Sequence, residues 1–188
     1  MKTKNILIAF ALTALAQLAT PLKMVYDSEM TERQGTEYRF RTAPIDPTDP
    51  FRGKYITLSY DIDIIPTKDS SWVSNEKIYV SLGTDTKGFA KITKVSRTEP
   101  EQGDYIATTV DYYYAYNNNL HIALPFDRYY MEESKAYEAE TAYREYNSTD
   151  KNAKPAYAAV AIREGDAVLK DVIIDGIPIK DYVVKNRK

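Results

Sequence analysis

Two hydrophobic patterns divide the chain. Residues 6–19, ILIAFALTALAQLA, form an uncharged apolar run preceded by Lys2 and Lys4. Beyond it the period falls to two. Ile56, Leu58, Tyr60 and Ile62 alternate with Tyr55, Thr57 and Ser59, so a strand here has one apolar and one more polar face. The same reading predicts strands over 37–42, 54–64, 76–82, 89–96, 105–116 and 120–124, each bounded by Gly, Pro, Asp or Asn clusters. Asn117–Asn119 accepts left-handed backbone angles and predicts a hairpin. Its second arm puts Leu120, Ile122, Leu124 and Phe126 on one face, with His121 and Ala123 on the other.

Toward the C-terminus, 157–163 meets 167–174 across Glu164-Gly165-Asp166, and Asp175-Gly176 supplies turn residues for a last hairpin. Pro178 limits that final strand to an edge. The one convincing helix of the body is 134–146, where Ala136, Ala139, Ala142, Tyr143 and Tyr146 share a stripe that packs on a sheet. Glu132 and Glu133 near its start and Arg144 near its end suit the helix dipole. The fold class is mainly β (α+β): an antiparallel β sandwich or partly open barrel with one packed helix and an N-terminal membrane helix.

Two fates compete for the N-terminal segment. Ala14-Leu15-Ala16 fits a small-x-small cleavage site. Continuation through Leu22, Met24, Val25 and Tyr26 instead extends the run to nearly membrane-spanning length, with Lys23 reaching the headgroups and Tyr26 suiting the same interface. The length argument favours an uncleaved anchor. Residues 1–26 are then a signal-anchor helix, 27–35 a linker or capped turn, and 36–188 an extracytoplasmic β-rich domain. Lys2 and Lys4 keep the N-terminus cytoplasmic and place the body outside.

Between the first two predicted strands, Pro44, Pro47 and Pro50 each fix φ and restrict the preceding residue, so few paths lead into Phe51. The basic Arg52 follows, then Gly53-Lys54-Tyr55-Ile56-Thr57-Leu58-Ser59-Tyr60. This segment resembles the bacterial family named for its Gly-Asp-Tyr-x-x-Leu-x-Tyr motif: Gly53, Tyr55, Leu58 and Tyr60 match, and Lys54 replaces the aspartate. Glu29 and Gly35 ahead of the turn, and the glutamate-bearing helix and hairpin after it, extend the likeness along the chain. The resemblance implies a membrane-anchored extracytoplasmic protein and brings no catalytic residues. The charge reversal at Lys54 argues against obligatory acid chemistry at that position. A second GDY at Gly103-Asp104-Tyr105 is followed by Thr108 and Val110 where the motif has Leu and Tyr, and reads as a turn entering a strand.

Composition narrows the chemistry. A net charge of -2 from 25 basic and 27 acidic residues gives no footprint for nucleic acid. The absence of cysteine excludes disulfides, thiolate zinc sites and cysteine nucleophiles. His121, the only histidine, lies in a strand with no local nucleophile signature. Ser70, Ser71 and Ser74 near Lys68 are the candidates for a serine–lysine hydrolase, which needs a buried, deprotonated lysine. A paired-carboxylate hydrolase is the other enzymatic form. Asp46, Asp49, Asp61 and Asp63 raise calcium binding without EF-hand spacing, and Asn147-Ser148-Thr149 matches a glycosylation acceptor. No motif calls for a cofactor.

Tyrosine, 17 of 188 residues, carries the remaining signal. Alternation puts Tyr112, Tyr114 and Tyr116 on one face and Tyr113 on the other, so one row fills the core while the other is free for a protein or carbohydrate. Tyr129 and Tyr130 form a second cluster. The leading expectation is a membrane-tethered β-rich domain that binds a membrane or envelope protein, with a multipass membrane protein as the candidate partner. Arg52, Gly53, Tyr55, Leu58 and Tyr60 are the expected contact region. An exported hydrolase and a carbohydrate-binding module are the alternatives.

Overall fold

The computed structural model describes residues 3–43, 55–130 and 156–186. It begins with one continuous helix, α1 (Thr3–Gln34). At a 1.5 Å rise per residue its 32 residues span about 48 Å. Ile6, Phe10, Leu15, Leu18 and Leu22 are each more than half exposed, so this apolar length is covered by none of the described residues of the body. The helix is long and apolar enough to cross a membrane.

Residues 27–34, expected as a linker or capped turn, continue the helix instead. Their charges sit at i,i+4 spacing, which supports helix: Lys23 pairs with Asp27, and Arg33 with Glu29 at 2.8 Å. Thr31 is fully buried, which places this last part of α1 against the body, where it packs on strands β10 (Tyr157–Arg163) and β11 (Asp166–Ile174). The N–H of Gly35 donates to the Thr31 carbonyl at 2.9 Å and β1 (Thr36–Ala43) starts at once. A Cβ at Gly35 would stand 2.5 Å from the Thr31 carbonyl oxygen and 2.9 Å from that of Ile162. Only glycine passes there without displacing backbone.

The body is built from two five-stranded antiparallel sheets and a short strand pair. The first sheet has the order β12 (Ile177–Pro178), β11, β10, β1, β3 (Ser59–Tyr60). The second runs β4 (Ile64–Pro66), β8 (Asn119–Ala123), β7 (Tyr105–Tyr114), β5 (Lys77–Thr84), β6 (Ala90–Ser96), and curls into half a barrel. The separate pair joins β2 (Tyr55–Thr57) to β9 (Arg128–Tyr130). One core serves all three, with Phe40, Ile78, Ile106, Val110, Leu120, Val160 and Ile174 fully buried. The β10–β11 turn ties the sheets together: Gly165, at φ 89°, accepts the Ala107 N–H at 2.8 Å, and a Cβ there would meet the Tyr105 ring at 2.8 Å.

Most strand positions follow the alternation. Residues 55–64 depart from the single strand expected over 54–64. The chain changes partner twice, from β9 to β1 and then to β8, with the Leu58 N–H donating to the Asp127 carbonyl at 2.7 Å between the first two. Inside-outside alternation survives the change, since Ile56, Leu58 and Tyr60 are all buried. Asn118 takes φ 55° in the predicted turn, and Gly103 takes φ 84° ahead of β7. The helix expected at 134–146 lies outside the described residues. A short helix that periodicity missed, α2 (Ile179–Asn186), follows Pro178 and buries Ile179 and Val183, one turn apart.

Candidate functional site

The motif strand is largely interior. Phe40 on β1, Tyr60 and Phe126 form an aromatic cluster with centroid separations of 4.8 to 6.0 Å and tilted or edge-on planes. The Tyr60 hydroxyl donates to the Phe126 carbonyl at 2.8 Å. Leu58 and Tyr60 are 4% and 3% exposed, so these two expected contact residues offer no surface to a partner. Their side chains bring the β3 edge of the first sheet onto the loop before β9.

Tyr55 is the motif residue that reaches the surface. It sits opposite Tyr130 in the β2–β9 pair, with rings 5.4 Å apart, and the Arg128 guanidinium lies 5.1 Å from its ring centroid. Tyr130 is 65% exposed. The pair therefore presents two aromatic rings and a cation where the chain enters its first motif strand. On the other face Tyr129 donates to Asp171 at 2.8 Å, and burial, followed by that hydrogen bond, raises its phenol well above the ordinary range. Arg52 and Gly53 lie outside the described residues.

The expected hydrolytic groups do not converge. The Ser71 hydroxyl donates to Asp69 at 2.6 Å and accepts from Arg97 at 2.9 Å, and Lys68 is exposed rather than buried. Arg97 also bonds Glu76 at 2.6 Å and Asp69 at 2.9 Å, and stacks 3.9 Å from the Trp72 ring centroid. Hydrogen bonds from Ser71 and then Arg97 hold the Asp69 carboxyl down at about 2. This is a loop clamp. Its one hydroxyl–carboxylate contact, Ser71 on Asp69, pairs the hydroxyl with a carboxylate too weakly basic to activate it.

His121 stacks on Tyr112 with centroids 4.1 Å apart and planes 14° from parallel. Burial raises the Asp63 carboxyl, partly offset by the nearby His121. Asp61, raised by burial and eased by Arg41, pairs with that arginine at 3.8 Å. Asp61 and Asp63 stand in the turn between β3 and β4, not within the strand predicted over 54–64. Among the described residues no three His, Asp or Glu side chains gather as a metal site. Asp46, Asp49 and Asn147–Thr149 lie outside the described residues.

The tyrosine row divides as alternation requires, through a bulge that the sequence did not disclose. Val110 pairs with Ile122 and Tyr112 with His121, leaving Asp111 extra. The bulge turns both Val110 and Tyr113 inward. Tyr112, Tyr114 and Tyr116 are left 46%, 51% and 91% exposed. Tyr113 packs against the core and its hydroxyl donates to Asn118 at 2.9 Å.

No curated protein and no solved structure matches the chain. The family model described as GDYXXLXY protein matches residues 17–172, from the middle of α1 into β11 and well over half of the sequence. With the motif strand inside that span, the chain belongs to the GDYXXLXY protein family.

Proposed function

We propose that this chain is a single-pass protein of the bacterial cytoplasmic membrane, whose β-rich body is held on the extracytoplasmic side and binds a protein partner there. The observation that carries this reading is α1, with an apolar stretch that no described residue of the body covers and a polar end packed on β10 and β11. A bilayer core of about 30 Å takes up roughly 20 helical residues. The remaining turns run beside the body, which is therefore held in the headgroup region rather than swinging on a linker. Lys2 and Lys4 favour a cytoplasmic N-terminus.

A body held so close to the bilayer meets the loops of neighbouring membrane proteins, and a multipass protein is the partner this geometry suits. The contact assigned to it is Tyr55, Tyr130 and Arg128, because aromatic and arginine side chains dominate binding energy at interfaces. Arg52 and Gly53 adjoin this patch in sequence and belong to the same proposed contact. Affinity capture from solubilised membranes tests it. A partner retained by the unaltered chain and lost from Tyr130→Ala or Tyr55→Ala, with unchanged unfolding, supports the reading; absence of any partner, or retention by both variants, refutes it.

The exposed row Tyr112, Tyr114 and Tyr116 favours a second reading, a carbohydrate platform. Sugar-dependent chemical-shift changes confined to that row would favour it over the protein partner.

A further inference from the structure

The half-barrel has an open seam. Its edge strands β4 and β6 both line a cavity of about 500 Å³, and neither has a further strand partner among the described residues. Inside the seam, Ile62, Ile65, Trp72, Ile92 and Val95 are only half buried around Leu120, which is fully buried. The core thus continues into a groove bounded by two strand edges. Its Trp72 end is fixed by the Arg97 clamp, and the Trp72 Nε1 is buried without an acceptor among the described residues.

A bulge on β6 shapes this groove. Leu82 pairs with Ile92 and Ser81 with Lys94, which leaves Thr93 extra and turns both Ile92 and Val95 toward the buried face. Lys91 and Lys94 lie on the opposite face beside Gly83 and Ser81, and neither makes an ion pair among the described residues. We propose that the seam receives one extended segment of a protein partner, with alternating large apolar and acidic residues, which adds to β6 as a further strand. This deepens the partner-binding reading and rests on it.

Backbone groups of β6 supply the affinity in such an addition and alternate side chains supply the choice. Apolar side chains of the incoming strand meet Ile92, Val95 and Trp72, while its acidic ones face Lys91 and Lys94. Residues 91–95 extend about 16 Å, which sets a segment of roughly five residues. A second copy of this chain is a poor occupant, because its own β6 would set lysines against lysines. The two lysines that discourage self-pairing thereby select an acidic strand.

Trp72 is the only tryptophan, so its emission reports on the seam without labelling. The test uses the full chain in lipid nanodiscs with acetyl-Glu-Val-Glu-Val-Glu-Val-amide, its lysine counterpart, and dodecanoate. The acidic peptide is expected to shift Trp72 emission saturably, to slow amide exchange over residues 91–95, and to bind about tenfold tighter than the basic one. Lys91→Glu with Lys94→Glu reverses that preference. Equal binding of the two peptides, no protection of β6, occupancy by dodecanoate in their place, or protection arising only from self-association would each overturn the proposal. Partner capture that survives the double charge reversal refutes the seam and spares the tethered partner-binding reading. If the unaltered chain captures no partner, that reading fails while the peptide measurement still decides the seam.

Discussion

Replacing Leu58 by alanine separates the two roles open to the motif, packing and contact. Leu58 is 4% exposed, in the same core as Ile56, Tyr60 and Phe126. Removing its side chain forfeits transfer energy and leaves a cavity that the surrounding strands fill incompletely, a loss of about 3 kcal/mol. In a chain of this size that lowers the unfolding midpoint by roughly 6 to 12 °C. Tyr55→Ala, which trims a half-buried ring beside the exposed Tyr130, costs about 1 kcal/mol and shifts the midpoint by roughly 2 to 4 °C. Thermal unfolding of both variants, followed by circular dichroism in the same detergent, gives the comparison. If Leu58→Ala unfolds like the unaltered chain yet loses its partner, the motif is a contact surface and the packing argument is wrong.

Other perturbations follow from the same contacts. Tyr60→Phe removes a buried hydrogen bond to the Phe126 carbonyl and should cost about 1 to 2 kcal/mol in denaturant titration, with the ring packing retained. Gly35→Ala places a Cβ 2.5 Å from the Thr31 carbonyl oxygen, so the α1–β1 junction should become sensitive to limited proteolysis, with about 1 to 3 kcal/mol lost. Asp69, held at about 2 against an ordinary value of 3.8, supports its loop fully above pH 3.8 and lets it go as pH falls through about 2. Trp72 emission should report that acid transition, and Asp69→Asn should abolish it.

Alternation read along a strand was enough to place most of the β framework, because burial of one face is a local property. Residues 77–84 and 120–124 carry it plainly. Partner choice is not local, which is why residues 54–64 read as one strand: Ile56, Leu58 and Tyr60 keep their phase while the chain passes from β9 to β1. The three-residue β9 was invisible for a related reason, since it is charged at Arg128 and too short to show a period. Residues 27–34 read as a linker from their polarity. The i,i+4 pairs Lys23–Asp27 and Glu29–Arg33 were present in the sequence and would have extended the helix. The motif's spacing identified the family, yet Leu58 and Tyr60 carry no mark distinguishing a core residue from a contact. The seam was not legible at all, because β4 and β6 come together only through the curl of the sheet.

The chain contains no cysteine, so single cysteines placed along α1 can be read without background. In lipid vesicles, a membrane-impermeant thiol reagent should fail to modify cysteines at positions 10, 15 and 18 and should modify positions 29 and 33, which are exposed on the polar end of the same helix. Modification at 10, 15 and 18 from the aqueous phase, equal to that at 29 and 33, would contradict a body tethered to the bilayer by α1.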